Sequence, residues 1–118
     1  MAVVGIGVDV VDVERFEVAT GRTPGLLDRV LVAAERSPHG VSMAARFAAK
    51  EALAKALGAP RGLRWHDAVV HAEASGRPFF VVAGTVDAAC RRAQVRTIHL
   101  TLSHDGGVAV AMVVLESG

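Results

Sequence analysis

Four charged side chains stand within an alanine- and leucine-rich segment, residues 46–58, and they are the strongest indication of chemistry in this chain. At about 100° per residue in a helix, residues four positions apart lie on the same side. Arg46 and Lys50 are related in this way, as are Glu51 and Lys55, and all four lie opposite a narrow arc of alanines. Because apolar side chains share the charged half, we expect Glu51 to be partly buried and to need a cation, either Lys55 or a metal ion. The alternative is an ordinary solvent-facing Glu–Lys pair, which contributes only about 0.3–0.5 kcal/mol.

A second carboxylate, Asp9, interrupts a β-branched segment near the N-terminus, where strand propensity disfavours it. Strand alternation places Gly5 and Gly7 on the same face as Asp9, so we expect room for a ligand beside the carboxylate. The glycines do not form a dinucleotide fingerprint, because Val10 occupies the third glycine position and no glycine-rich turn opens a helix there. Asp12, directly before a helical segment, is the predicted N-cap, which leaves Asp9 without a local structural role.

Two carboxylates, Asp9 and Glu51, with Lys50 and Lys55 beside them suit a magnesium site completed by phosphate oxygens and water. The lysines would neutralise the remaining phosphate charge. Phosphoryl transfer depends mainly on such positioning and electrostatic stabilisation. The residues therefore favour phosphoryl-transfer chemistry with Mg²⁺ as cofactor.

Four parts of the chain, taken together, resemble the holo-acyl-carrier-protein synthases, the short members of the 4′-phosphopantetheinyl transferase superfamily. They are Gly-Ile-Gly-Val-Asp in 5–16, Phe-Ala-Ala-Lys-Glu-Ala in 46–58, Trp-His-Asp at 65–67 with Gly-Arg-Pro at 76–78, and Leu-Ser-His-Asp at 102–105. The resemblance implies transfer of the 4′-phosphopantetheine group from coenzyme A to a serine of an apo-acyl carrier protein, which releases adenosine 3′,5′-bisphosphate.

The resemblance also implies roles for individual residues. Asp9 and Glu51 would hold Mg²⁺ on the pyrophosphate, and Glu51 would help to deprotonate the serine, directly or through a water. Lys55 completes the catalytic set and stabilises phosphate charge. Coenzyme A would contact the following residues: Arg46, Lys50, Lys55, Arg77, Pro78 and His104. The last of these would lie near the adenosine 3′-phosphate.

Partner contacts are implied in the same way. Arg15 matches the family position that meets acidic residues of the carrier protein, and Arg22 and Arg29 would extend that basic patch. The family usually forms a homotrimer with sites between subunits, so Arg77 and Pro78 are expected to reach a neighbour's coenzyme A. The segment 36–41 is shorter than the loop and helix usual there, which affects carrier docking and substrate range. A magnesium-dependent phosphohydrolase and a non-catalytic carrier-binding protein remain alternatives, separable by product analysis.

Other polar clusters have simpler interpretations. His66 and His71 would point to opposite faces of a predicted strand, so a zinc site with Asp67 is disfavoured. Adjacent strand residues diverge, so the sequence Ser-His-Asp at 103–105 does not predict a hydrolase triad. Without the resemblance, Gly-Arg-Pro at 76–78 is simply a turn.

Composition fits one compact domain spanning residues 1–118. The chain has 52% hydrophobic residues and no repeat, as expected for a single domain with a core. Its net charge of +1 argues against nucleic acid as a partner. The single Cys90 cannot form an internal disulfide. No segment resembles a membrane span or a signal peptide, so the expected location is cytoplasmic.

The pattern of periodicities predicts an α+β fold in which a mainly antiparallel sheet covers a long central helix. The resemblance implies the same architecture, the 4′-phosphopantetheinyl transferase fold. The predicted strands are 3–11, 65–73, 78–83, 97–104 and 108–115, and the predicted helices are 13–19, 26–35, one capped by Ser42 and ended by Gly58, and 85–94.

Overall fold

The structure is a computed structural model that describes residues 1–118. Five strands and four helices follow one another along the chain, with short 3-10 turns before α3 and β2. Their bounds are β1 Val3–Asp12, α1 Val13–Arg22, α2 Leu26–Val30, α3 Gly40–Ala56, β2 Ala68–Ala72, β3 Pro78–Val82, α4 Gly84–Arg92, β4 Val95–Asp105 and β5 Val108–Ser117.

All strand pairs are antiparallel, and they form two sheets. The larger sheet has the order β1-β5-β4, and β2 pairs with β3 in a separate hairpin. The inner face of the larger sheet packs on the long helix α3 through alanine, valine and leucine side chains. The predicted α+β architecture is therefore confirmed, with the difference that the strands divide into two sheets.

Two glycines of β1 allow the sheet to approach α3 closely. A methyl group at Gly5 would overlap the carbonyl oxygen of Ala56, and one at Gly7 would overlap that of Ala52. The prediction that these glycines leave room for a ligand beside Asp9 is therefore wrong, because the helix backbone fills that space.

Helix boundaries agree with the sequence in some places and differ in others. Asp12 caps α1 as predicted, since its carboxylate accepts a hydrogen bond from the Arg15 amide at 2.9 Å. Gly58, with φ of 83°, follows the end of α3 as predicted. Ser42 is not the cap: His39 holds that position without a side-chain bond, and Gly40 lies tightly against Glu17 of α1. A carboxylate near a helix N-terminus offsets the dipole there, so α3 begins earlier than predicted.

The predicted helix 26–35 is interrupted. Leu31 leaves the helical conformation, with φ of −123° and ψ of 136°, and a 3-10 turn follows at Ala33–Glu35. This break turns the Glu35 side chain into the interior, where it is fully buried. Similarly, the predicted strand 65–73 begins with a 3-10 turn at Trp65–Asp67, so only its later part pairs with β3.

The outer face of the larger sheet carries exposed apolar side chains. On β1, Ile6, Val8 and Val10 are 66%, 56% and 60% exposed, and Met112 on β5 is 46% exposed. The register places Val8 directly beside Met112, so these side chains are neighbours on one surface. No helix in the structure has the length and apolar character needed to cross a bilayer.

Candidate active site

Asp9 and Glu51, which are distant in sequence, line one open cleft. Asp9 projects from the middle of β1, and Glu51 projects from α3, which the two glycines hold against that strand. The cleft has a volume of about 530 Å³, and its other walls come from α1, α2 and Phe47. Arg15 lies on its rim. The fold therefore assembles the two predicted metal ligands at one place.

Lys55 is paired with Asp9. Its ammonium nitrogen lies 2.9 Å from Asp9 Oδ1 and 3.1 Å from the carbonyl oxygen of Val8. The Lys55 side chain is 54% exposed, so solvent screens the pair and the contact is easily exchanged. Lys55 is therefore the cation that neutralises Asp9 in the metal-free protein.

Glu51 occupies an unfavourable place for a lone negative charge. Partial burial raises its pKa above the usual range, the neighbouring Asp9 charge raises it further, and Lys55 opposes both effects. Two carboxylates that repel one another in a cleft large enough for phosphates are a donor set suited to Mg²⁺, a cation that prefers oxygen ligands. The residues present fit the predicted metal.

A second cleft of about 260 Å³ brings together three of the predicted coenzyme contacts: Arg46 of α3, Pro78 of β3 and His104 of β4. The Arg46 guanidinium donates a hydrogen bond of 2.7 Å to the backbone carbonyl of Glu35, so the orientation of this side chain is fixed within the protein. Arg77 is exposed and does not line the cleft.

Lys50 differs from its predicted position beside the phosphates. Its ammonium is 2.7 Å from Glu35 Oε1 and also donates to the carbonyl oxygens of Val30 and Trp65, at 2.7 and 3.0 Å. Burial lowers the pKa of Lys50, and the hydrogen bond and negative charge of Glu35 counteract this effect. An ammonium has three donors, so none is left for a substrate phosphate.

Glu35 is the residue that sequence reasoning missed. The predicted helix 26–35 places it at a helix end, whereas its carboxylate is buried and accepts hydrogen bonds from Lys50, from the Val32 amide and from the Val70 amide. The Val32–Glu35 contact is the only local part of this set. The Lys50 and Val70 contacts depend on the tertiary fold, so no sequence pattern marks the residue.

The α1 helix presents a small basic groove beside the carboxylate cleft, lined by two arginines and one carboxylate, Glu14. Arg15, Val18 and Arg22 line it together, and Val18 is 45% exposed between the two arginines. Arg15 lines both this groove and the carboxylate cleft, so the two sites are continuous. Arg29 belongs to α2 and does not line the groove.

The residues that suggested zinc have other partners. His66 Nε2 is 2.6 Å from the carbonyl oxygen of Asp28, and His71 stacks on Phe79 with ring centroids 5.6 Å apart. Two hydrogen bonds from Thr85 hold the pKa of Asp67 below its usual range. His66 lies in a 3-10 turn and His71 in β2, so the two histidines do not lie on opposite faces of one strand as predicted.

Comparison with known proteins points to one family. The model of the 4′-phosphopantetheinyl transferase superfamily matches residues 5–113. A holo-[acyl-carrier-protein] synthase of Frankia alni is 58% identical over 118 residues, which cover 99% of this chain and 100% of that protein. The corresponding synthase of Renibacterium salmoninarum is 53% identical over 115 residues, covering 98% and 99% of the two chains.

Solved structures agree with the sequence matches. The holo-[acyl-carrier-protein] synthase of Helicobacter pylori in complex with coenzyme A superposes with a TM-score of 0.83 at 28% identity, over 94% of this chain and 99% of that chain. The Bacillus anthracis synthase in complex with coenzyme A (3′,5′-ADP) gives a TM-score of 0.79 at 31% identity, over 98% of each chain.

Proposed function

The chain belongs to the holo-[acyl-carrier-protein] synthases of the 4′-phosphopantetheinyl transferase superfamily, and on that premise we propose how its clefts divide the reaction. The reaction is transfer of the 4′-phosphopantetheine group from coenzyme A to a serine of an apo-acyl carrier protein. The whole chain, residues 1–118, acts as one catalytic domain in this proposal. Because coenzyme A is its substrate, we place the enzyme in the cytoplasm.

The observation that carries the proposal is the convergence of Asp9 and Glu51 in one cleft. These two carboxylates would hold Mg²⁺ with the pyrophosphate of coenzyme A. When bound, the metal supplies charge stabilisation to the phosphate oxygens. Lys55, whose ammonium contacts Asp9, would add positive charge beside the phosphates.

In the chemical step, one oxygen–phosphorus bond forms and another breaks. The serine hydroxyl oxygen attacks the phosphorus that carries the pantetheine arm, and the bond from that phosphorus to the bridging oxygen breaks. Adenosine 3′,5′-bisphosphate leaves with the bonding electrons. Glu51 would take the serine proton, directly or through a water.

The nucleotide end of coenzyme A would lie in the second cleft. Arg46 and His104 would face its phosphate, and Pro78 would contact the adenine from the side of the hairpin. Arg77 is exposed on its own subunit. We propose that Arg77 acts across a subunit boundary, whereas Pro78 lines the cleft of its own chain.

The basic groove on α1 fits an acidic carrier protein. Arg15 and Arg22 would pair with its carboxylates while the exposed Val18 covers apolar surface between them. Since Arg15 also lines the carboxylate cleft, a carrier bound at the groove would present its serine to Glu51.

Assembly as a homotrimer would cover the exposed outer face of β1. Val8 and Met112 lie side by side on that face, and covering such apolar surface stabilises association. Sedimentation at assay concentration should report a trimer, and dilution should lower specific activity as subunits separate. Val8→Asp should produce the same loss without dilution, whereas a fully active monomer would contradict the shared site.

Intact mass of the carrier tests the function as a whole. The protein is incubated with coenzyme A, Mg²⁺ and apo-acyl carrier protein, and the carrier should gain one phosphopantetheine. Cleavage of coenzyme A without modification of the carrier would indicate a phosphohydrolase. Binding of the carrier without either change would indicate a non-catalytic binding protein.

A further inference from the structure

The interior of the protein contains one buried ion pair, formed by Glu35 and Lys50. Glu35 is 0% exposed and Lys50 is 3% exposed, and they are the only charged side chains among the buried residues. Burying two charges is costly, and an apolar pair of similar volume is often equally or more stabilising. Net stability therefore does not account for this pair, and its role lies in the geometry that it imposes.

The pair connects five segments of the chain, which are α2, the 3-10 turn of Glu35, α3, the turn before β2, and β2 itself. Lys50 on α3 donates to the Val30 carbonyl at the end of α2 and to the Trp65 carbonyl in the turn before β2. Glu35 accepts from the Val70 amide within β2. No buried side-chain polar atom lacks a hydrogen-bond partner, so the network is complete. Directional bonds of this kind fix the relative orientation of segments, which apolar contacts do not.

The same network reaches both proposed substrate clefts. The backbone carbonyl of Glu35 accepts the Arg46 guanidinium at 2.7 Å, and Arg46 lines the nucleotide cleft. Val30, whose carbonyl accepts from Lys50, lines the carboxylate cleft. Arg46 and Lys50 are one helical turn apart on α3, so a movement of Glu35 would displace both contacts together.

We propose that Glu35 and Lys50 are positioning residues for coenzyme A, which hold the Arg46 side chain in the orientation that binds the nucleotide. This inference rests on the proposed function, since it takes the second cleft as the nucleotide site. Lys50 also borders a separate cavity of about 200 Å³, but its three donors are used within the protein and Glu35 is fully buried, so neither residue hydrogen-bonds to substrate. Their effect on the reaction passes through Arg46.

A double-mutant cycle tests the connection. Coenzyme A affinity is measured by calorimetry for wild type, Glu35→Gln, Arg46→Ala and the double variant. Glu35→Gln removes the charge and keeps the shape, and we expect affinity to fall about tenfold, with kcat little changed at saturating coenzyme A. If Glu35 acts through Arg46, the double variant binds no more weakly than Arg46→Ala alone. Fully additive losses would overturn the inference.

Two further variants separate positioning from stability. Val113→Ala removes buried volume from β5, away from both clefts, and should lower stability without changing coenzyme A affinity. Replacing the pair by Glu35→Leu with Lys50→Met removes both buried charges and fills their volume, and it should still weaken binding in the fraction that circular dichroism shows to be folded. Normal affinity in this apolar double variant would refute the positioning role, as would an equal loss in Val113→Ala.

The inference and the proposed function fail in different ways. Wild-type protein that binds no coenzyme A overturns both. Wild-type protein that binds coenzyme A and leaves the carrier unmodified overturns the proposed transfer only, because the cycle then still reports how Arg46 is held. Normal transfer combined with additive losses in the cycle overturns only the positioning role.

Discussion

Two lysine–carboxylate pairs anchored on α3 have the same chemistry and opposite surroundings. Lys50 and Glu35 meet at 2.7 Å with side chains 1% and 0% exposed. Lys55 and Asp9 meet at 2.9 Å with side chains 54% and 16% exposed. The first pair has no access to solvent or substrate, whereas the second faces an open cleft.

The difference shows what burial does to a charge pair. In the closed pair every donor is used within the protein, so it holds chain segments in place and cannot exchange partners. In the open pair Glu51 adds a second carboxylate whose pKa is raised by burial and by Asp9. That excess of negative charge favours a metal ion and its phosphates. We therefore expect the closed pair to govern stability and orientation, and the open pair to govern turnover.

The largest effect should come from the open site. Asp9→Ala and Glu51→Gln should each lower kcat/KM by roughly a thousandfold, since a lost metal ligand costs several kcal/mol of transition-state stabilisation at about 1.4 kcal/mol per decade. Circular dichroism should show an intact fold. Either variant with near-normal turnover at saturating Mg²⁺ would remove that residue from the site, and undiminished wild-type activity in excess chelator would rule out the metal.

The two lysines provide the most direct contrast. Lys50→Met leaves Glu35 buried without its cation and should cost about 3–5 kcal/mol in free energy of unfolding. Lys55→Met removes a screened, half-exposed contact and should cost about 0–1 kcal/mol, while lowering turnover more than stability. Urea denaturation of both variants measures the difference. Equal losses of stability would mean that burial does not separate the pairs.

Sequence reasoning found the open site more completely than the closed one. Asp9 is recognisable because its strand gives it no local role, and Glu51 because it stands among apolar residues of a helix with a lysine four residues away. Glu35 and Lys50 are not, since their pairing depends on the break after Val30, and the propensities of residues 26–35 predict an unbroken helix. The fold class and most strand positions followed from alternating apolar residues and glycine turns, which are local signals.

A smaller effect is expected from a substitution at the carrier groove, which should weaken carrier binding and spare coenzyme A binding. Arg15→Glu should raise KM for the carrier about tenfold and leave coenzyme A affinity unchanged, because the groove on α1 is charged and exposed. The defect should shrink as salt concentration rises. Arg92→Glu, an exposed reversal on α4, serves as the matched control. Loss of affinity for both substrates in Arg15→Glu would contradict the docking role.

The smallest effect concerns the metal-free protein. The folded state raises the pKa of Glu51, so it binds that proton more tightly than the unfolded chain does. In chelator, stability should therefore fall as pH rises from the ordinary value of 4.5 through the raised one. Glu51→Gln should lack this decline and melt at a higher temperature than wild type near neutral pH. Added Mg²⁺ should raise the wild-type melting temperature and leave that of Glu51→Gln unchanged.

The close contact of Gly5 and Gly7 with α3 makes the spacing of the catalytic carboxylates a property of the main chain. Side chains elsewhere in the core can be exchanged for others of similar volume while Asp9 and Glu51 keep their separation. The side chains on the outer face of the same strand take no part in this contact, so they are available for subunit association. The main-chain atoms of β1 thus set the accuracy of the active site, whereas its side-chain atoms can tolerate substitution.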